Sequence, residues 1–194
     1  MTDIASILLG GGVVLMPADT IYGLHAIAGH AHAIQRIVEI KGRADDKPFV
    51  VIGASIEQLE QLGAAFSAPT KKILRQLWPG PLTAIVPLRE PVAASRGAST
   101  IAVRVPASDS LRELLKRTGP LVSTSANRSG EPPIVDPKSI PHDLHDALDA
   151  IVDSGPRSGE PSTIVDFSGD EPRLIREGEA FFTQKVWKTL RKSL

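Results

Sequence analysis

Two periods of apolar recurrence run along this chain, one near 3.6 residues and one of 2, and they alternate. Ile34, Ile37, Val38 and Lys41 recur at helical spacing and predict a helix over 31–41; a second, over 55–62, opens on Ser55 with Gln58 three positions later, the spacing of a capping box. A third runs from about Pro69 to Trp78, with Ile73, Leu74 and Leu77 inward, and stops at Pro79-Gly80-Pro81. Ser108 caps a fourth through Lys116, which ends at Gly119. In "STIAVRVP" (99–106) Ile101, Val103 and Val105 alternate with Thr100, Ala102 and Arg104, so one face of a strand meets the core and Arg104 projects from the other. "FVVIG" (49–53), "LTAIVPL" (82–88), "PLVSTS" (120–125), "AIVD" (150–153), "STIVDF" (162–167) and "RLIR" (173–176) read as further strands. A last helix from about Gly178 sets Phe182, Val186 and Leu190 on one face.

Helices and strands interleave, so the expected class is α/β with a mixed sheet, the closely spaced last strands suggesting a hairpin. The 194 residues, 42% apolar, suffice for one compact domain spanning 1–194, with no repeat or linker to divide it. The start "IASILLGGGVVLMP" reads as helix, turn, strand: it lacks a basic leader region, follows Asp3 and is broken by Gly10, Gly11 and Gly12. No apolar run reaches the ~20 residues of a bilayer span, so a soluble, cytoplasmic protein is expected.

Charge changes the picture locally. Lys plus Arg and Asp plus Glu are 22 each, so no whole-molecule field draws in nucleic acid or membrane, and any anion site must be local. No cation precedes Arg36, whereas Lys185, Lys188, Arg191 and Lys192 crowd the last ten residues, as in a solvated helix end. The absence of cysteine excludes disulfides, thiolate zinc sites and a cysteine nucleophile. There is no Walker A loop, no dinucleotide fingerprint and no nucleophile elbow. His30-x-His32 and His142-x-x-His145 lack partners at ligand spacing and read as surface or helix-end residues, and His25 as a satisfied, partly buried side chain.

What remains is a set of polar clusters at strand and helix ends. "KGRADDK" places Lys41, Arg43 and Lys47 within seven positions, and Gly42 frees the backbone for a turn that lets the cations converge on a di- or triphosphate. Asp45 and Asp46 leave the alternative of a neutralised surface patch. "PADTIYGLHA" (17–26) sets Asp19, Thr20 and Tyr22 in a polar knot; "STSANRSG" (123–130) and "PSTIVD" (161–166) bring hydroxyls and amides to strand ends. With Arg104 these describe a cavity rich in donors and poor in acids, suited to a negatively charged small molecule.

"MPADTIYGL", "KGRADDKP", "WPGPLTAIVP", "STIAVRVP", "GPLVSTSANRSGEPP", "STIVD" and "LIREG", in that order from 16 to 178, resemble the YrdC-like family, and within it the threonylcarbamoyl-AMP synthases of tRNA modification. The resemblance implies a twisted α/β domain around an open, positively charged cavity, in which L-threonine, bicarbonate and ATP give threonylcarbamoyl-AMP and pyrophosphate. It implies Lys41 and Arg43 as catalytic cations and Lys41, Arg43, Lys47, Thr100, Ser125, Asn127 and Arg176 as the ATP site. Thr20, Tyr22, Arg104, Ser123 and Ser162 would meet the threonine, with Arg104 on its carboxylate. Magnesium would arrive with ATP, there being no carboxylate cluster dedicated to it. Separate proteins would complete transfer to tRNA, the chain resembling the short form of the family.

Three positions depart from the family pattern: Ala18 where many relatives place Thr, Val51 where some carry His near the amino acid, and Pro133 where some carry a hydroxyl near ATP. Two other readings compete. One is a non-catalytic module of this fold that binds tRNA or double-stranded RNA through phosphate contacts; the other is a paralogue with a different acyl substrate.

Overall fold

Nine strands join one sheet among the described residues, and the site depends on the order in which they lie. The computed structural model describes residues 3–19, 21–42 and 47–193, the side chains of 192 and 193 excepted. The elements are α1 (Ile4–Leu9), β1 (Val14–Pro17), β2 (Tyr22–Ile27), α2 (Ala31–Lys41), β3 (Val50–Ile52), α3 (Ile56–Gln61), α4 (Ala68–Leu77), β4 (Leu82–Pro87), β5 (Thr100–Arg104), α5 (Asp109–Thr118), β6 (Leu121–Ser125), α6 (His142–Asp146), β7 (Ala150–Ile151), β8 (Thr163–Asp166), β9 (Arg173–Arg176) and α7 (Ala180–Ser193). The sheet order is β7-β1-β2-β6-β3-β5-β4-β8-β9. It is mixed: β1–β7, β3–β5 and β4–β8 pair parallel and the other neighbours antiparallel, including the β8–β9 hairpin.

The helix ends follow the local chemistry. Ser55, Ser67 and Ser108 each accept from the backbone N–H three residues on. Gln58 closes its box one residue early, accepting from Ala54 N at 2.7 Å, while its amide donates to Leu115 O and ties α3 to α5. Gly42 ends α2 in the left-handed region, φ 57°, where a side chain would be strained.

Alternation sorts the strands between two faces. Leu15, Leu24, Val51, Val103, Val122 and Val165 pack with α2, α3, α4 and α7 in the main core. Val14, Met16, Ile52 and Leu121 face the other way, where Leu8 of α1 and Leu111 and Leu115 of α5 cover them. α1 and α5 cover only part of that second face. The uncovered part becomes the floor of the cavity described next. No helix among the described residues is long and apolar enough to cross a membrane.

Two elements differ from the sequence expectation. The polar knot at 17–26 is mostly strand, with Tyr22–Ile27 paired on both sides, because its small and aromatic residues fit between β1 and β6. α6 was not predicted; it is a single short turn held by Leu144 in the core.

Candidate functional site

A cavity of about 540 Å³ opens on the second face. Register decides which side chains reach it. Ser123 stands opposite His25, and Ser125 opposite Gly23; Val50 stands opposite Ala102. With Ile101 and Val103 in the core, Arg104 is turned to the cavity side. Ser162 and Arg176 arrive from the β8–β9 end, while Ile21, Tyr22, Phe49, Pro133 and Pro161 form walls. Among the described lining residues the charged ones are Arg104 and Arg176, and none is a carboxylate.

Arg104 is 5% exposed, so the face to which the strand period assigns it is enclosed at this position. Alternation assigns a side chain to a face but says nothing of what walls that face. Its guanidinium makes no hydrogen bond among the described residues, and Nε is fully enclosed without a partner. Burial lowers its pKa, an effect that nearby Asp19 opposes and Arg176 reinforces. Asp19 makes no hydrogen bond to the guanidinium among the described residues; its two carboxylate oxygens accept from Ala107 N and Ser108 N at 3.0 and 2.9 Å. A guanidinium stays protonated in proteins, so this is a desolvated cation facing a cavity, a state that favours an anion with two acceptor oxygens.

Arg176 is better held. Its Nε and Nη2 donate to Ser162 O at 3.1 and 2.9 Å, and Nη2 also reaches Ser162 Oγ at 3.3 Å. Ser162 Oγ in turn lies 2.8 Å from Thr83 Oγ1, so Ser162 orients the arginine as much as it lines the cavity. Tyr22 is wholly buried, and its hydroxyl donates to Gly155 O at 2.8 Å and accepts from Ser154 N at 2.9 Å. It therefore pins the 153–161 loop that brings Gly159 and Pro161 to the rim.

Lys41 is buried, 5% exposed. Its Nζ donates to Ser125 O at 2.8 Å, Asn127 O at 3.0 Å and Asn127 Oδ1 at 2.9 Å. Ser125 Oγ donates to the same Oδ1 at 2.6 Å. Lys41 is thus a post that holds the Ser125-Ala126-Asn127 turn, a role that its place at a helix end did not reveal. Asn127 is close to the cavity through this turn but does not line it, and neither Thr100 nor Lys47 does. Thr100 sits four residues before Arg104 at the far end of β5, opposite Pro87. Lys47 is exposed where the chain approaches β3. Thr20 and Arg43, and with them Asp45 and Asp46, lie outside the described residues.

Of the three departures, Ala18 and Pro133 do line the cavity. Val51 does not: it is fully buried in the main core, and Val50 faces the cavity in its place. A shift of one residue along a strand reverses the face. Sequence reasoning also missed Phe49 and Val50, whose signal was the apolar strand that follows the cation cluster, and Gly159 and Pro161, which precede "STIVD".

His25 is completely buried rather than partly, and neither ring nitrogen has a hydrogen-bond partner. Desolvation pushes its pKa down to about 4; the backbone of Met16 opposes this, the charge of Arg104 adds a smaller downward push, and the backbone of Val122 opposes least. His30 caps α2 by accepting from Ala33 N, and His32, His142 and His145 are exposed, as expected. A second cavity, about 550 Å³, shares Ala18 with the first. Its walls are mainly Ile4, Met16, Leu111, Leu114 and Val152, and the cation lining it, Arg157, is exposed, so no desolvated charge is aimed into it.

A single mixed sheet flanked by helices, with a cavity on its partly uncovered face and a buried arginine lining it, places the chain among the α/β domains. Residues 6–178 match the Sua5/YciO/YrdC family model, described as telomere recombination, and the chain belongs to that family. A Bacillus subtilis relative named threonylcarbamoyl-AMP synthase is 36% identical over 90% of this chain and 52% of its own length. A Nitrosococcus oceani relative of the same name is 39% identical over 84% of this chain and 90% of its own. The structure of Pyrococcus abyssi Sua5 complexed with L-threonine superposes with a TM-score of 0.85 at 33% identity, covering 96% of this chain and 56% of that one. The chain thus spans about half the length of the Bacillus and Pyrococcus relatives.

Proposed function

We propose that this chain is a nucleotidyltransferase that forms L-threonylcarbamoyladenylate and pyrophosphate from L-threonine, bicarbonate and ATP, the activated intermediate for N6-threonylcarbamoyladenosine in tRNA. The observation that carries the reading is Arg104, a buried guanidinium that lines the cavity and makes no hydrogen bond among the described residues. It suits the carboxylate of an amino acid, and the family membership and the relatives' names support the same substrate.

The threonine amine attacks the carbon of bicarbonate, water leaves, and a carbamate results. A carbamate oxygen then attacks the α-phosphorus of ATP, and pyrophosphate departs with the electron pair of the broken P–O bond. Arg104 would fix the carboxylate, Ser123 offers a hydroxyl that makes no hydrogen bond among the described residues, and Arg176 would face the nucleotide. Lys41 acts through the Ser125–Asn127 turn, and Lys47 and Arg43 complete the phosphate side in this reading. No covalent intermediate is needed, so the protein's work is positioning and cationic stabilisation of the leaving group. Magnesium would come as the MgATP substrate, the described lining residues including no carboxylate to keep an ion of its own. The product would pass to tRNA threonylcarbamoyl transferase proteins in the cytoplasm.

The test is pyrophosphate release by purified protein with threonine or bicarbonate omitted in turn. Release that needs both is the expected result. Equal release without threonine overturns the assignment, and salt-sensitive RNA binding without any ATP turnover would favour the RNA-binding module.

A further inference from the structure

A buried hydroxyl stands behind the Arg176 end of the cavity. β4 turns Leu82, Ala84 and Val86 to the main core, so Thr83 leaves it for the cavity face. Ala84 is the register partner of Val103, and the residues next to these two, Thr83 and Arg104, share that face. Thr83 is fully buried, and its Oγ1 lies 2.8 Å from Ser162 Oγ, the one hydrogen bond that its hydroxyl makes among the described residues. Ser162 lines the cavity and holds Arg176, whose Nε and Nη2 donate to Ser162 O and whose Nη2 also donates to Ser162 Oγ at 3.3 Å.

The backbone of Ser162 is held in place. Gly178 presses on it so closely that a Cβ there would stand 2.4 Å from Pro161 O and 2.6 Å from Thr163 N, and Gly178 N donates to Thr163 Oγ1 at 3.2 Å. What remains to be set is the direction of the Ser162 proton. A hydroxyl has one proton to give and two lone pairs to fill. An enclosed proton without an acceptor is costly, so the Thr83 proton goes to Ser162 Oγ, its partner among the described residues. A guanidinium can only donate, so Arg176 takes the second lone pair. Both lone pairs of Ser162 Oγ are then filled by the protein, and its own proton is left for the cavity that the residue lines.

We propose that Thr83 is a positioning residue that fixes the Ser162 hydroxyl as a donor aimed into the cavity, beside Arg176, for an anionic oxygen of the ligand. Valine at 83 would keep the shape but free the Ser162 hydroxyl to turn. An anionic oxygen only accepts, so a hydroxyl that presents a lone pair to it repels it. The oxygen belongs to a phosphate of ATP or to the carboxylate of threonine, and this ligand side rests on the substrate reading above. The direction of the proton does not.

The experiment has two arms. In the first, calorimetry measures L-threonine and ATP binding to the wild type, Thr83→Val, Thr83→Ser, Ser162→Ala and the double variant Thr83→Val with Ser162→Ala. Thr83→Val is expected to weaken one of the two ligands about fivefold and Ser162→Ala the same ligand about tenfold, the scale of one hydrogen bond to a charged group, with the other ligand within about twofold. A loss on ATP assigns the oxygen to a phosphate, and a loss on threonine to the carboxylate. Thr83→Ser keeps the hydroxyl and is expected to retain most of the affinity. The double variant is expected to lose no more than Ser162→Ala alone, because Thr83 acts through that hydroxyl. Unchanged affinity for both ligands in Thr83→Val, equal loss of both, or losses that multiply in the double variant overturn the proposal in favour of a packing role. In the second arm, NMR of the wild type without any ligand follows the two hydroxyl protons. A slowly exchanging Thr83 hydroxyl proton with a cross-peak to the Ser162 side chain is expected. A slowly exchanging Ser162 proton in its place, or none from either residue, overturns the proposal even if Thr83→Val fails to fold. A wild type that binds neither ligand but shows the Thr83 proton would sink the substrate reading and leave the positioning intact.

Discussion

Acidification should unfold this protein through His25 before most carboxylates are involved. The ring titrates near 6.5 in an unfolded chain and is pushed down to about 4 in the fold, chiefly by desolvation. The unfolded state therefore binds the proton first, and stability falls as pH drops through the interval between the two values. Above pH 6.5 the contribution is complete; below pH 4 it is gone. A depression of that size is worth about 3 kcal/mol, and about 2 kcal/mol should be lost by pH 5. That is a large share of the 5–15 kcal/mol that is usual for a domain. The assay is urea unfolding of the wild type and His25→Leu from pH 8 to pH 4.5, each extrapolated to water. Taking the difference between the two removes groups common to both. Asp149 and Asp166, whose pKa values are lowered, lose their contribution at lower pH than His25. The wild type should lose about 2 kcal/mol more than the variant between pH 8 and pH 5. Parallel curves would refute the reasoning, and would mean that the ring is solvated or already paired.

Three further outcomes concern Arg104, Lys41 and Arg43. Arg104→Lys keeps a charge but loses the planar fork, so the threonine requirement should rise roughly tenfold while ATP binding changes much less, by calorimetry. Collapse of ATP affinity alone would move Arg104 to the phosphate side. Lys41→Ala removes a buried cation that satisfies three acceptors, so it should cost about 3 kcal/mol of stability as well as activity. Arg43→Ala should cut turnover about a hundredfold with unchanged thermal unfolding, and equal thermal losses in the two variants would erase that distinction.

Much of the fold was legible because helix ends advertise themselves: Ser55 and Ser108 at the starts, Gly42 and Gly119 at the stops. β5 was legible by alternation. β2 was not, because His25 and Gly23 interrupt its apolar run for reasons that lie across the sheet, in the ring's need for space. At the site, Arg104, Ser123, Ser125, Ser162, Tyr22 and Arg176 meet as the motifs suggested. The role of Lys41 was not legible, since it depends on partners about 85 residues away, Ser125 and Asn127.

The order of strands in the sheet has a consequence for how the protein is made. β1 pairs with β7, bringing Val14 to Ala150, and the cavity draws on residues from Ala18 to Arg176. Closing contacts over such separations delays the search for the native state, as in other topologies of high contact order. During synthesis no nascent chain shorter than most of the sequence can hold the cavity, so anions present in the cell cannot template its early folding. Once the last hairpin is in place the site forms together with the sheet, and an anion that binds it then stabilises the whole sheet by mass action.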